Sequence, residues 1–377
     1  MSHLSRRNLM KTGAAFTIVA PEQVSGTQAN SKVSVGLIGA GNRGSFDADI
    51  VHKDPRGRIT AVCDKYDDKI EAAMQRWGVA RGETYKDFEQ LLSKSSVDAV
   101  LIATPPFEHP RMLEAAVDAR KHIYCEKPAG VDVEGCKRFI AASKRHDPKK
   151  TLSVGYQQRY GVVYLEAYKR IQNGEIGPLS AARAWWISSD PFQRKPYSDP
   201  QEEKIRNWFC YRELSGDIIV EQDCHNFDVL HWFLGGLPLR AVGMGGRKLR
   251  TSMDLLDHLS LSYEFPDGVY VAFEANQLTP PGYNRVGEEF TGTKGTIWTS
   301  RPTMTHYKYI NGNAVNETMT SRRDITIDAF EAWLNRILSG NVENVGERSA
   351  LSTQIAILGR TAVYTNKEQT WKGLYGA

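Results

Sequence analysis

The residues best suited to chemistry lie in two short runs. Glu126-Lys127-Pro128 leaves the apolar, β-rich run 122–125, and Glu221-Gln222-Asp223-Cys224-His225-Asn226-Phe227-Asp228 follows Ser215-Gly216-Asp217. Amine, imidazole and carboxylate are the groups that move protons near neutral pH. A lysine taken out of water at a strand exit has its pKa lowered toward neutrality, which suits it to take a hydroxyl proton while hydride leaves the same carbon. If one helix runs from about residue 221 to Leu234 and stops at Gly235-Gly236, then Glu221, His225 and Asp228 stand at i, i+4 and i+7 on one face. A stripe of acid, imidazole and acid orients a hydroxylated substrate and carries its proton. The same residue types ligate metals, but no second cluster accompanies them and no metal is expected.

Hydride transfer needs an acceptor, and the chain offers a place for one. The apolar run 33–38 enters Gly39-Ala40-Gly41-Asn42-Arg43-Gly44, and 45–52 reads as a helix. This is G-x-G-x-x-G between strand and helix: one glycine turns the chain, the second admits a pyrophosphate, and the third packs helix on strand. The N-terminus of that helix faces the phosphates with its free N–H groups, and Asn42 and Arg43, between the glycines, are candidates for the cofactor as well. A second strand, 58–63, ends at Asp64, twenty residues after Gly44, where a carboxylate accepts from both hydroxyls of an adenosine ribose and favours NAD. Lys65 beside it is suited to a 2′-phosphate, so NADP is the second choice. Further strands at 97–103 and 122–125, with a helix at 112–121 between them, continue the alternation and give a parallel sheet. Ligands gather at the carboxyl ends of such strands, so Thr104, Pro105 and His109 are further candidates for the cofactor.

From Glu126-Lys127-Pro128 onward the sequence resembles the glucose-fructose oxidoreductase and inositol dehydrogenase family. The match spans nearly everything after residue 31: the glycine fingerprint, 98–106 with His109, the Glu-Lys-Pro, the run 154–160 and the segment around His225. The resemblance implies an N-terminal Rossmann domain, 32–154, and a C-terminal α/β domain, 155–377, on a large, mostly antiparallel open sheet. It makes Lys127 catalytic and His225 its proton-transfer partner, and gives Glu126 the nicotinamide ribose. Arg159 and Tyr160 resemble positions near the substrate, and Gln157 lies where a cofactor contact is expected. The family pattern is Asp-x-x-x-His, so Glu221 departs from it by one methylene. Trp208, in an aromatic and basic stretch from 190 to 211, is a candidate to stack on a pyranose ring.

The rest of the chain agrees with that organisation. Strand-like runs occur at 181–188, 258–265, 269–276, 295–299 and 305–310, Asn311-Gly312 marks a turn, and amphipathic helices occur around 327–338 and 351–364. Trp185 and Trp186 on an open sheet would leave apolar area in water, which implies a homodimer or homotetramer. From residue 31 onward Lys and Arg number 45 against 43 acids, which is no footprint for nucleic acid. No apolar run has the length of a membrane span. Five scattered cysteines suggest neither a disulfide framework nor structural zinc. Residues 1–31 read as an export segment and linker: Arg6-Arg7, then Leu9-Met10-Lys11, a weakly apolar run and small residues, in the manner of a twin-arginine signal. The sequence therefore reads as an exported, periplasmic NAD(P)-dependent oxidoreductase acting on a secondary alcohol of a sugar, polyol or glycoside. Two alternatives stand beside it. One is a glycosidase that uses NAD transiently and eliminates an aglycone, and the other is a sugar-binding protein without turnover.

Overall fold

The computed structural model describes residues 32–191 and 194–376. The export segment expected at 1–31 lies outside the described residues. Six strands, β1 (Val33–Ile38), β2 (Gly57–Cys63), β3 (Thr84–Tyr85), β4 (Ala99–Ile102), β5 (His122–Cys125) and β6 (Leu152–Val154), form a sheet in the order β3-β2-β1-β4-β5-β6. All five pairings are parallel. Every residue of β4, β5 and β6 is buried, as expected for parallel strands covered by helices on both faces. The strand order is that of a Rossmann domain, and it places the exits of β1, β2, β4 and β5 along one edge.

In the half of the chain that holds the parallel sheet, two helices have other boundaries than the sequence reading. The first helix spans Asn42–Lys53, because Gly41 already acts as its N-cap. The helix after β4 spans His109–Asp118 and ends before Lys121, where Arg120 turns to a φ of 53°.

The second sheet contains β7 (Leu179–Ile187), β8 (Arg240–Gly246), β9 (His258–Phe265), β10 (Val269–Asn276), β11 (Arg285–Gly292), β12 (Gly295–Thr299), β13 (Thr303–Ile310), β14 (Asn313–Thr320) and β15 (Gln369–Thr370). Their order is β14-β13-β12-β11-β7-β10-β9-β8-β15, antiparallel throughout except for the β7–β10 pair. Helices Val162–Gln172, Cys224–Leu234 and Gly346–Thr365 cover its inner face. Phe227 and Phe233 of the middle helix meet Phe273 and Phe290 of the sheet. The tryptophan pair needs correction. Successive strand residues face opposite ways, so Trp186 points inward with Ala182 and Ala184, and only Trp185 faces out. The outward face also carries exposed Met244 and Tyr270, but among Ser260, Ser262 and Arg183. Val242 and Tyr307 on the same face are exposed as well.

The Rossmann core is completed from the far end of the chain. Helix Ile325–Ser339 inserts Phe330, Trp333 and Leu334 among Val35, Ala48 and Tyr124. Tyr124 and Phe330 stack with centroids 4.2 Å apart. Residues 343–345 then run beside β6, so a boundary at 154 separates the sheets but not the cores.

Candidate functional site

At the exit of β1, Gly39 adopts a φ of +93°, and a Cβ there would meet the Ala103 carbonyl at 2.7 Å. A Cβ on Gly44 would lie 1.9 Å from the Gly39 carbonyl oxygen, which forbids any side chain. Nothing lies within 4 Å of a Cβ built on Gly41. The loop is therefore tight below and open above, and the N–H groups of Asn42 and Arg43 begin the helix at that opening. Asp64 is fixed at the edge of this cradle, accepting from Ala40 N–H at 2.8 Å and Tyr66 N–H at 3.0 Å. Burial raises its pKa above the ordinary aspartate value, opposed by those two hydrogen bonds. Lys65 is exposed. Gln157 is buried with its Oε1 lacking a partner, an acceptor ready for an amide. The cradle, the acid and the orphaned carboxamide fit a dinucleotide.

Two expected cofactor contacts serve first to shape the site. His109 is buried at the carboxyl ends of β4 and β5, with Nε2 3.0 Å from the Thr104 carbonyl and Nδ1 2.7 Å from that of Pro128. It pins the Thr104-Pro105 loop to the Lys127 loop. Glu126 is buried and accepts from Arg43 Nη2 at 2.8 Å and from the Lys127 N–H at 3.1 Å. Arg43 also approaches Asp47 at 3.1 Å, so the fingerprint arginine is held between two acids.

Lys127 extends from its loop to Glu221, with Nζ 2.8 Å from Oε1 and both side chains 13 % exposed. Its Nζ also donates to the Glu221 carbonyl. The loop is anchored by Ala129 N–H, which donates to Thr353 Oγ1 at 3.1 Å. The expected lowering of the lysine pKa is overturned. Burial does press it down, but the charges of Glu221, Cys224 and Glu126 outweigh burial and raise it above the usual lysine value. The single helix expected from 221 to 234 is also corrected. A short turn, Ile218–Glu221, is capped by Asp217 at a φ of 75°, and the helix proper is Cys224–Leu234. The break at Gln222-Asp223 frees the Glu221 carbonyl for Lys127, and Gly235 stops the helix as expected.

His225 is 4 % exposed, its Nδ1 has no partner, and it lies between the edge of Tyr156, 5.9 Å away, and the face of Trp186, 6.1 Å away. Burial drives its pKa well below the ordinary histidine value, helped by the charges of Lys127, Arg301 and Arg43. It is neutral at physiological pH. Asp228 does not face substrate openly. Arg159 Nη2 and Nε each reach its carboxylate at 2.8 Å, and Ser352 Oγ donates to it at 2.7 Å. Asp228 thus orients Arg159, which also lies over Trp232. Tyr160 faces helix Ile325–Ser339, with Arg336 over its ring at 5.5 Å. Trp208 packs edge-on to Phe209 against the core.

Sequence reasoning missed Tyr156, Trp186, Ser352 and Arg301. Trp186 was visible, but the facing of a strand residue needs the sheet register. Ser352 lies more than a hundred residues from Asp228 and carries no local signal. Among the described residues no three of His, Cys, Asp and Glu form a metal cluster, and no helix is long and apolar enough to cross a membrane.

A dinucleotide cradle facing a lysine, a neutral histidine and a buried arginine–aspartate pair defines a two-domain, NAD-binding oxidoreductase. The chain belongs to the GFO/IDH/MocA oxidoreductase family: the model for "Oxidoreductase family, NAD-binding Rossmann fold" matches residues 33–156, and the family's C-terminal domain matches 164–298. It is 27 % identical over 279 residues to the uncharacterized oxidoreductase YrbE of Bacillus subtilis, covering 72 % of this chain and 75 % of that one. It is 25 % identical over 309 residues to inositol 2-dehydrogenase of Salmonella paratyphi B, covering 81 % and 82 %. A solved levoglucosan dehydrogenase, in complex with NADH and levoglucosan, shares the fold with a TM-score of 0.76 at 18 % identity, over 90 % of this chain and 99 % of that one.

Proposed function

We propose that this enzyme oxidises a secondary alcohol of a cyclic polyol, sugar or glycoside, at the third carbon where the substrate is a pyranose. The observation that carries the reading is the Lys127–Glu221 pair at 2.8 Å at the exit of β5, with neutral His225 electrostatically coupled to it. The relatives named for inositol and levoglucosan support the substrate class. Bound NAD supplies the hydride acceptor. Glu221 keeps Lys127 as an ammonium, which donates a hydrogen bond to the reacting oxygen and stabilises the alkoxide as it forms. His225, neutral and open on one side, takes the hydroxyl proton. Arg159, held by Asp228, to which Ser352 also donates, donates to neighbouring hydroxyls, and Tyr156 and Trp186 flank His225. Gly39, Gly41, Asn42, Gly44, Asp64, Thr104, Pro105 and Gln157 line the cofactor.

The test is a panel of cyclic polyols, free sugars and aryl glucosides, followed at once by nicotinamide absorbance and by aglycone release. Keto product with stoichiometric NADH is expected. Aglycone without net NADH would make the enzyme a glycosidase, and neither signal would make it a binding protein. The enzyme is further proposed to be exported to the periplasm through Arg6-Arg7, with a mature chain beginning before Lys32, and to associate as a dimer or tetramer through the outer face of its large sheet. Light scattering at about 40 kDa for the mature chain would remove the oligomer.

A further inference from the structure

Of the cations Lys127, Arg159, Arg43 and Arg301 near the site, the first three are neutralised. Lys127 pairs with Glu221, Arg159 with Asp228, and Arg43 with Glu126 and Asp47. The fourth, Arg301, occupies the turn between β12 and β13 and forms no ion pair among the described residues. Its guanidinium lies 6.0 Å from the centre of the Trp186 ring, whose other neighbour is His225. It is exposed to solvent, yet enough protein surrounds it that burial is the leading cause holding its pKa below the usual arginine value. Arg301 is therefore a charge in contact with solvent water at the rim of the site, beside Trp186. The acid that might have answered it, Glu288, is fully buried and held by Asn226 at 2.7 Å and Thr299 at 2.8 Å. Burial also raises Glu288 to about 7, so it supplies only part of a counter-charge at neutral pH.

A neutral ligand that displaced this water would leave the guanidinium desolvated and unpaired, which is costly. An oxyanion would restore the lost solvation with two parallel N–H···O bonds, the geometry for which a guanidinium is built. Two oxyanions could meet it, a substrate carboxylate or a cofactor phosphate. Arg301 lies 6.0 Å from the centre of the Trp186 ring, which stacks on His225, whereas Arg43 stands on the glycine loop paired with Glu126, so Arg301 is on the side of the proton-transfer residues and Arg43 on the side of the cofactor cradle. We infer that Arg301 anchors a carboxylate of the substrate, making a sugar acid of the uronate or aldonate type the preferred substrate. The inference rests on the dehydrogenase reading above and narrows it.

The experiment compares glucuronate and gluconate with glucose and inositol in wild type, Arg301→Gln and Arg301→Lys, by NADH formation, with NAD affinity measured by fluorescence titration. The expected result is a kcat/KM for an acid about 10- to 100-fold above the neutral sugars, the range of one hydrogen-bonded charge pair. Arg301→Gln should abolish that advantage and leave neutral sugars and NAD affinity within about threefold, while Arg301→Lys keeps part of it. Equal use of acids and neutral sugars by wild type would overturn the inference, although the dehydrogenase would stand. So would an Arg301→Gln variant whose loss falls on NAD affinity, which would assign the arginine to the cofactor, or falls equally on all sugars. If no sugar turns over, calorimetry of glucuronate with the NADH-loaded enzyme still decides. Binding that Arg301→Gln abolishes supports the anchor, and no binding removes it.

Discussion

The Lys127 ammonium and the Glu221 carboxylate meet at 2.8 Å across the boundary between the two sheets, 94 residues apart in sequence and equally shielded from water. Each would be costly to bury alone, and removing one partner leaves the other uncompensated. Aspartate at 221 would be one methylene shorter. The glutamate stem is what closes this distance from a turn that ends before the His225 helix begins.

Replacing Lys127 with alanine should lower turnover by ~10²-fold or more while leaving NAD binding nearly intact, since Lys127 touches neither the glycine loop nor Asp64. Glu221→Gln removes the charge that holds the lysine pKa up. Burial then acts unopposed by that charge, and the alkaline limb of the kcat/KM profile should move to lower pH. An unmoved limb in Glu221→Gln would mean that Lys127 is not the group titrating there.

Because burial and three nearby cations depress the pKa of His225, the neutral base should persist to pH values below the ordinary ~6.5 of histidine. Oxidation should therefore hold its rate through neutral pH and fall only on the acid side as His225 gains a proton. His225→Ala should remove that acid limb along with most of the rate. A profile that already falls at pH 7 would contradict this assignment.

Asp64 should make NAD the tighter cofactor, because its carboxylate would repel a 2′-phosphate. Asp64→Ala is expected to narrow or reverse the difference, read by fluorescence titration with NAD and NADP. It also deletes acceptors for two backbone N–H groups at about 1 kcal/mol each, so a lower melting temperature should accompany the change. NADP binding tighter than NAD in wild type would point to Lys65 or Arg43.

Trp333 is fully buried in the Rossmann core although it enters from the C-terminal half. Trp333→Ala should cost about 3–5 kcal/mol in denaturant unfolding, the range for deleting a large buried aromatic. If the N-terminal sheet had a self-sufficient core the loss would be far smaller.

Replacing Arg6 and Arg7 together with lysine should hold the precursor in the cytoplasm, observed by fractionation and by the mass of the N-terminus. Normal export and processing of that variant would remove the twin-arginine route.

Much of this molecule is decided locally and can therefore be read from sequence. The glycine fingerprint depends on backbone sterics within six residues, Asp64 on the length of one strand–helix–strand unit, and the parallel sheet on alternating apolar runs. Glu126, Lys127 and His225 were legible because the strand exit and the helix stop fix where they emerge. Strand β14, at one edge of the large sheet, and β8, one strand in from the other edge, were not, since Asn313-Ala314-Val315-Asn316-Glu317 and Val242-Gly243-Met244-Gly245-Gly246 lack the apolar alternation that burial imposes. Charge state and facing also required the tertiary structure. The pKa of Lys127 moves up and not down because Glu221 arrives from a distant segment, Asp228 is occupied because Ser352 and Arg159 converge on it, and Trp186 joins the site because the register of β7 turns it inward. Electrostatic energy depends on distance through space, and a sequence records only distance along the chain.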